Sequence, residues 1–230
     1  MKRSILLTLI GLLFTANGAA QTAAWESKAV GRWDSADVQK ILTNSAWGRS
    51  INSGVLTDTQ MFGAIKQGIA ASYNLRSALV VRYALVRQLQ LEQRYDSMDE
   101  KAKVEFDKKN ASLLRCPPCA DYYIVSIRGN IPELKNTALI EFRKKQIFLS
   151  NEKGEKRFLA KFSPLTFEGS EALFFFPRKG EDGRVLITPD NKKLTFSIVS
   201  PDTERGSAMS LIQNIDINVS EIVREGVVVF

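Results

Sequence analysis

Cys116-Pro117-Pro118-Cys119-Ala120-Asp121-Tyr122-Tyr123-Ile124-Val125-Ser126-Ile127-Arg128 is the stretch at which this 230-residue chain changes character. Upstream of it apolar residues recur at helical spacing; downstream, aromatic and β-branched runs alternate with turn signals. This order predicts an α+β fold, with N-terminal helices packed against a C-terminal antiparallel β-sheet or sandwich. The stretch also holds the only two cysteines, so thiol chemistry has to pass through it.

A Cys-x-x-Cys pair has three readings: a redox centre, metal ligation, or a local bridge. A thioredoxin-like centre places its attacking cysteine at a helix N-terminus, where the dipole lowers the thiol pKa. Here a Lys-rich helix precedes Cys116, and the strand-forming run Tyr122 to Ile127 follows Cys119. Arg115 stands where such motifs commonly carry Trp. It can still stabilise a thiolate, so redox chemistry at Cys116 and Cys119 is kept as an alternative. Structural zinc draws on four Cys or His ligands, whereas this chain has two Cys and no His. Bridging requires a turn, because polyproline geometry through Pro117 and Pro118 would part the Cα atoms by roughly 9 Å against a limit of about 7 Å. A cis Pro118 or a helical turn starting at Pro117 closes that gap, and a disulfide is expected.

At the N-terminus, Met1-Lys2-Arg3, an apolar run from Ile5 to Phe14 and Asn17-Gly18-Ala19-Ala20-Gln21 supply the three parts of a secretory signal peptide. Cleavage is expected after Ala20, with no Cys there to carry a lipid. The apolar run is about half the length of a membrane span, and no later stretch is long and apolar enough, so no transmembrane segment is expected after cleavage. Export predicts a secreted or periplasmic location. Loss of Lys2 and Arg3 lowers the formal charge from +7 to +5, a mildly basic surface compatible with an envelope protein or an anionic envelope polymer as partner. Nucleic acid is not expected as a partner.

Trp33 to Leu42 forms an amphipathic helix: Asp34 or Ser35 caps its start, Asp37 favours its positive end, and Val38, Ile41 and Leu42 share a face. Trp33 and Trp47 flank it. They either pin the helix to the domain or form an aromatic binding pair. The pattern Trp33-x3-Asp37-Val38-x-Lys40-Ile41-Leu42-x2-Ser45-x-Trp47, with Arg76-Ser77-Ala78-Leu79 and Leu173-Phe174-Phe175-Phe176-Pro177-Arg178, resembles a group of uncharacterised secreted bacterial proteins, some of them grouped with GWxTD-domain proteins. The Gly-Trp-x-Thr-Asp motif itself is absent. The resemblance implies export and brings no catalytic residue with it.

Residues 48 to 72, rich in Gly, Ser, Thr and Ala, read as a long loop with one weak helical turn. Ala78 to Glu92 reads as a largely buried helix whose Arg82 and Arg87 pair with carboxylates or cover apolar surface. A further helix opens at Ser97 as N-cap. Beyond the cysteines, strands are expected at Tyr122 to Arg128, Gln146 to Ser150, Lys156 to Phe162, Ala172 to Phe176, Arg184 to Thr188, Leu194 to Val199, Ile215 to Val219 and Val227 to Phe230. A short helix is expected over Asn136 to Arg143. The layout is thus a signal peptide over 1–20, a helical segment over 21–115 and a β-rich segment over 116–230 that joins the helices in one unit.

Two features of the β-rich half suggest a surface. Lys144, Lys145 and Phe148, and the run from Lys153 to Phe162, interleave cations with aromatic rings, as polyanion-binding faces and half-buried hairpins both do. Without His, the common Ser and Cys hydrolase triads are excluded. No carboxylate pair or phosphate loop stands out, and no catalytic, metal-binding or cofactor-binding residue is assigned. The expected function is that of a non-catalytic envelope binding or structural module, with Trp33, Trp47, Lys144, Lys145 and Phe148 as candidate surface. The alternatives are a thiol-disulfide protein and a carrier of lipid or another small ligand.

Overall fold

The computed structural model describes residues 24–52, 70–167, 170–199, 212–224 and 227–228. The signal peptide read over 1–20 lies outside them, as does the end of the terminal strand. A short helix α1 (Ala24–Ser27) leads to α2 (Ser35–Thr43), where Asp34 and Asp37 form a reciprocal capping box: each side chain accepts the other's backbone N–H. Strands β1 (Asn44–Ser45), β2 (Gly48–Asn52) and β3 (Ala70–Leu75) follow. Next come α3 (Leu79–Glu92) and α4 (Glu100–Arg115). Asp99 caps α4, accepting from the Ala102 N–H at 2.8 Å. This corrects the Ser97 assignment; Ser97 closes a 3-10 turn and donates instead to Arg94 O.

The remaining elements are β4 (Tyr122–Gly129), α5 (Thr137–Phe142), β5 (Ile147–Asn151), β6 (Lys156–Phe158), β7 (Lys161–Ser163), β8 (Ala172–Pro177), β9 (Lys193–Ile198), β10 (Asn214–Asn218), β11 (Val223–Arg224) and β12 (Val227–Val228). The protein is α+β, and all strand pairs are antiparallel. One sheet, A, runs β1-β2-β3-β4-β8-β7; a second, B, runs β10-β9-β5-β6; β11 and β12 form a separate ribbon.

Two readings change. Residues 48–52 and 70–72 fall in the stretch expected as loop, yet Gly48–Asn52 and Ala70–Leu75 are strands that complete sheet A, so three of its six strands precede the cysteines. Gly48 explains the misreading. It was read as turn punctuation, but here it allows close approach, since a Cβ would meet Asn74 Oδ1 and Leu42 O. The stretch Arg184 to Thr188 makes only a single bridge, Lys179 to Val185. Buried Leu186 and Ile187 pin it, through the Leu186 N–H to Arg178 O and the Ile187 N–H to Tyr123 Oη.

Alternation along the strands sets three layers. Gly48 and Asn74, paired in register, face α2, which lies on β2 and β3. Their strand neighbours face the other way, with Phe174 and Phe176 meeting Phe196 of sheet B at ring separations of 5.3 and 5.9 Å. Leu194, Phe196 and Ile198 point inward, as the alternation predicted, beside Ile215 and Ile217. The run from Lys156 to Phe162 is split. The Leu159 N–H bonds Ile147 O in sheet B, while the Ala160 N–H bonds Phe175 O in sheet A, so this corner turns the chain from one sheet to the other. No helix among the described residues is long and apolar enough to cross a membrane.

Candidate functional site

Cys116 and Cys119 are bonded, with Cα atoms 5.4 Å apart. The turn is a 3-10 helix over Pro117–Ala120, with Pro117 at its first position, and the peptide bonds are trans. Cys116 is the C-cap of α4, with φ 40° in the left-handed region, so it sits at the negative end of that helix. A thiolate there would be destabilised rather than favoured. Cys119 is buried against Ile124 and Phe175. Two arginines serve the carbonyls around the bridge: Arg82 from α3 donates to Leu114 O, and Arg178 after β8 donates to Cys119 O at 2.8 Å. Burial pulls both guanidinium pKa values below their ordinary range. The bridge therefore lies where the helix layer is tied to the start of β4.

The aromatic pair that flanks α2 is not a surface. Trp33 is 2 % exposed and Trp47 1 %. The Trp33 indole donates to Lys28 O at 3.2 Å, its carbonyl accepts from buried Arg87 Nε at 2.9 Å, and Trp47 packs edge-on against Trp25 at 5.1 Å. Both rings anchor the helix, because the apolar area they bury outweighs any gain from display. Arg87 completes the tie with a two-pronged bond to Asp96, at 3.1 and 3.0 Å. That bond holds the Asp96 carboxyl below its usual range.

Phe148 stands on the outer face of sheet B, and Lys144 and Lys145 lie in the turn that leads into its strand. Inward residues of β5 are Ile147 and Leu149; Phe148 alternates outward and stands directly opposite Phe158 of β6. The rings meet at 5.9 Å in a T-shape, and Phe158 is 49 % exposed. Lys156, two residues before Phe158 and on the same face, places its Nζ 4.3 Å from the Phe148 centroid. The 3-10 turn Lys144–Gln146 leads into β5 and lies against β6, leaving Lys144 and Lys145 exposed. Lys144 meets Glu141 at 3.4 Å; among the described residues Lys145 and Lys156 meet no carboxylate. Across the same face, Lys193 and Thr195 bind Asp216, so its far side is neutralised. Phe158 and Lys156 extend the surface beyond Phe148, and their part was legible only as alternation within Lys153 to Phe162.

The interior between the sheets is occupied by side chains. Phe162, Phe174, Phe176 and Phe196 form a chain of ring contacts within the buried core. No protein-family model, no curated protein and no solved structure matches this chain.

Proposed function

We propose that the protein is an exported, non-catalytic binding module of the cell envelope, and that its outer sheet face holds an anionic polymer. The observation that carries this reading is the Lys156 ammonium seated over the Phe148 ring beside exposed Phe158, with exposed Lys145 in the turn that leads into β5. Rings give a flat, sequence-tolerant platform, while uncompensated ammonium groups supply the charge that a polyanion needs. Export is supported by the leader-like segment ending at Ala20 and by the bridged cysteines, a bond that persists in oxidising compartments. The redox alternative is disfavoured by the C-terminal helix position of Cys116, and the carrier alternative by the filled space between the sheets.

The test is binding of dextran sulfate by biolayer interferometry. The wild-type protein is expected to bind at low salt and to weaken as ionic strength rises. Phe148→Ser with Lys156→Gln is expected to reduce affinity about tenfold, a loss of one ring contact and one cation. Equal affinity in the variant, or no binding by the wild type, would reject the proposal.

A further inference from the structure

The face of sheet A that carries the helices holds a second polar cluster, unrelated to the basic aromatic surface. Ser50 of β2 pairs directly with Ser72 of β3, and Ser72 pairs directly with Arg128 of β4. Side chains in register on adjacent strands share a face, with Cβ atoms about 5 Å apart. Two hydroxyls and a guanidinium therefore form one row. A cleft of about 310 Å³ opens above it, walled by Gln39 and Leu42 of α2 and by Leu85 and Gln88 of α3. Neither serine hydroxyl has a hydrogen-bond partner among the described residues.

The charges at the end of the row do not balance. Among the described residues Glu171 is the one carboxylate that meets Arg128, at 3.3 Å from Nη2, and it is shared with Arg76, whose Nε lies 3.5 Å away. Two guanidinium groups over one carboxylate leave one positive charge uncompensated within this cluster. The Arg76 side chain is 15 % exposed and that of Arg128 41 %, so the more buried group has the greater need of Glu171. Burial, opposed by Glu171 and reinforced by Arg128, pulls the Arg76 guanidinium below its ordinary pKa. Arg128 is left with donors that meet no other acceptor among the described residues, and it lines the cleft.

We propose that this cleft is a binding site for a phosphate group, bonded by the Arg128 guanidinium and by the Ser72 and Ser50 hydroxyls. Planar guanidinium donors and adjacent hydroxyls suit the several acceptor oxygens of a phosphate, and the anion supplies the missing negative charge. The cleft exceeds what a phosphate alone fills, so a phosphomonoester with a small polar body is the ligand class that fits. Gln39 and Gln88 wall the space that body would enter; the Gln88 amide is steadied by its bond to Glu92 at 2.9 Å. No bond in the phosphate forms or breaks here: the site binds.

Amide NMR shifts of the ¹⁵N-labelled protein test the site, with inorganic phosphate, glycerol 3-phosphate and phosphatidic acid vesicles as separate probes. Saturable shifts centred on residues 50, 72 and 128 are expected. Tighter binding of glycerol 3-phosphate than of inorganic phosphate would identify a soluble phosphoester, and binding of the vesicles alone a lipid headgroup; both support the site. Arg128→Gln is expected to weaken binding at least tenfold. Should that variant fail to fold, Ser50→Ala with Ser72→Ala removes no charge and is expected to weaken binding about fivefold. Phe148→Ser with Lys156→Gln should leave phosphate binding intact, which separates this site from the polymer face. No saturable response to any probe, shifts centred elsewhere, or unchanged affinity in a folded cleft variant would overturn the proposal.

Discussion

At Cys116 the backbone enters the left-handed region, a conformation that favours glycine and asks a cost of any residue with a Cβ. The cysteine is held there by three bonds to two residues: its own N–H to Ser112 O, the sulfur bridge to Cys119, and the Cys119 N–H to its carbonyl. A bridge that encloses four residues stabilises through lost chain entropy by about 2 kcal/mol. Replacing both cysteines by serine is therefore expected to cost about that amount in urea unfolding. The wild-type protein is expected to reduce insulin no faster than buffer, since Cys116 lies at the wrong helix end. Measurable reductase activity that Cys116→Ser abolishes would contradict this assignment. The composition of the turn was readable, but the direction of its proline-rich backbone was not. Local sterics allow either an extended or a helical path, and only closure by the sulfurs, together with the contact of Arg178 with Cys119 O, selects the turn.

Elements were legible where periodicity was strong. The start of α2 at Asp34 or Ser35, the helix over Leu79–Glu92 and the alternation in β9 and β10 follow from local chemistry; that Asp34 is the cap, and that Asp37 answers it reciprocally, only the structure decides. β2 is not legible in this way, because Gly-Arg-Ser-Ile-Asn carries little apolar alternation; in β3 buried Ala71, Tyr73 and Leu75 do alternate with Ser72 and Asn74, but the run is short and opens in small Ala residues. Their strand form rests on pairing, β2 with β3 and β3 with β4, whose residues stand 50 to 58 positions further along the chain. Gly48 marks that junction. A methyl group added to it would lie 2.5 Å from Leu42 O, in backbone that cannot yield without moving α2. Gly48→Ala is expected to cost at least about 2 kcal/mol, read as a lowered urea midpoint with an unchanged slope. A variant as stable as the wild type would show that α2 is not fixed against β2 as described.

Across the whole molecule, the aromatic column Phe162, Phe174 and Phe196 joins the two sheets through the space a carrier would need. Phe174 lies on β8, between β4 and the edge strand β7, and is fully buried. Phe174→Ala is expected to cost about 3–5 kcal/mol. Since both sheets lose contacts at once, unfolding should stay a single transition, with coincident near- and far-ultraviolet circular dichroism curves. Separate transitions for the two signals would show that the sheets are held independently.

The two proposed sites divide along the same line. Lys144, Lys145 and Phe148 lie within five residues of one another, and period-two alternation alone turns Phe148 to one side. The row Ser50, Ser72 and Arg128 spans 78 positions and exists only because β2, β3 and β4 meet in one register. Class of fold, most helix ends and strand faces belong to short-range sterics, capping and hydrophobic period, which a single chain carries in its order of residues. Which polar side chains become neighbours, which guanidinium is left in excess, and which tryptophans vanish into the core are properties of packing between distant segments. No local pattern encodes them, because each depends on a partner that the backbone reaches only after it has folded.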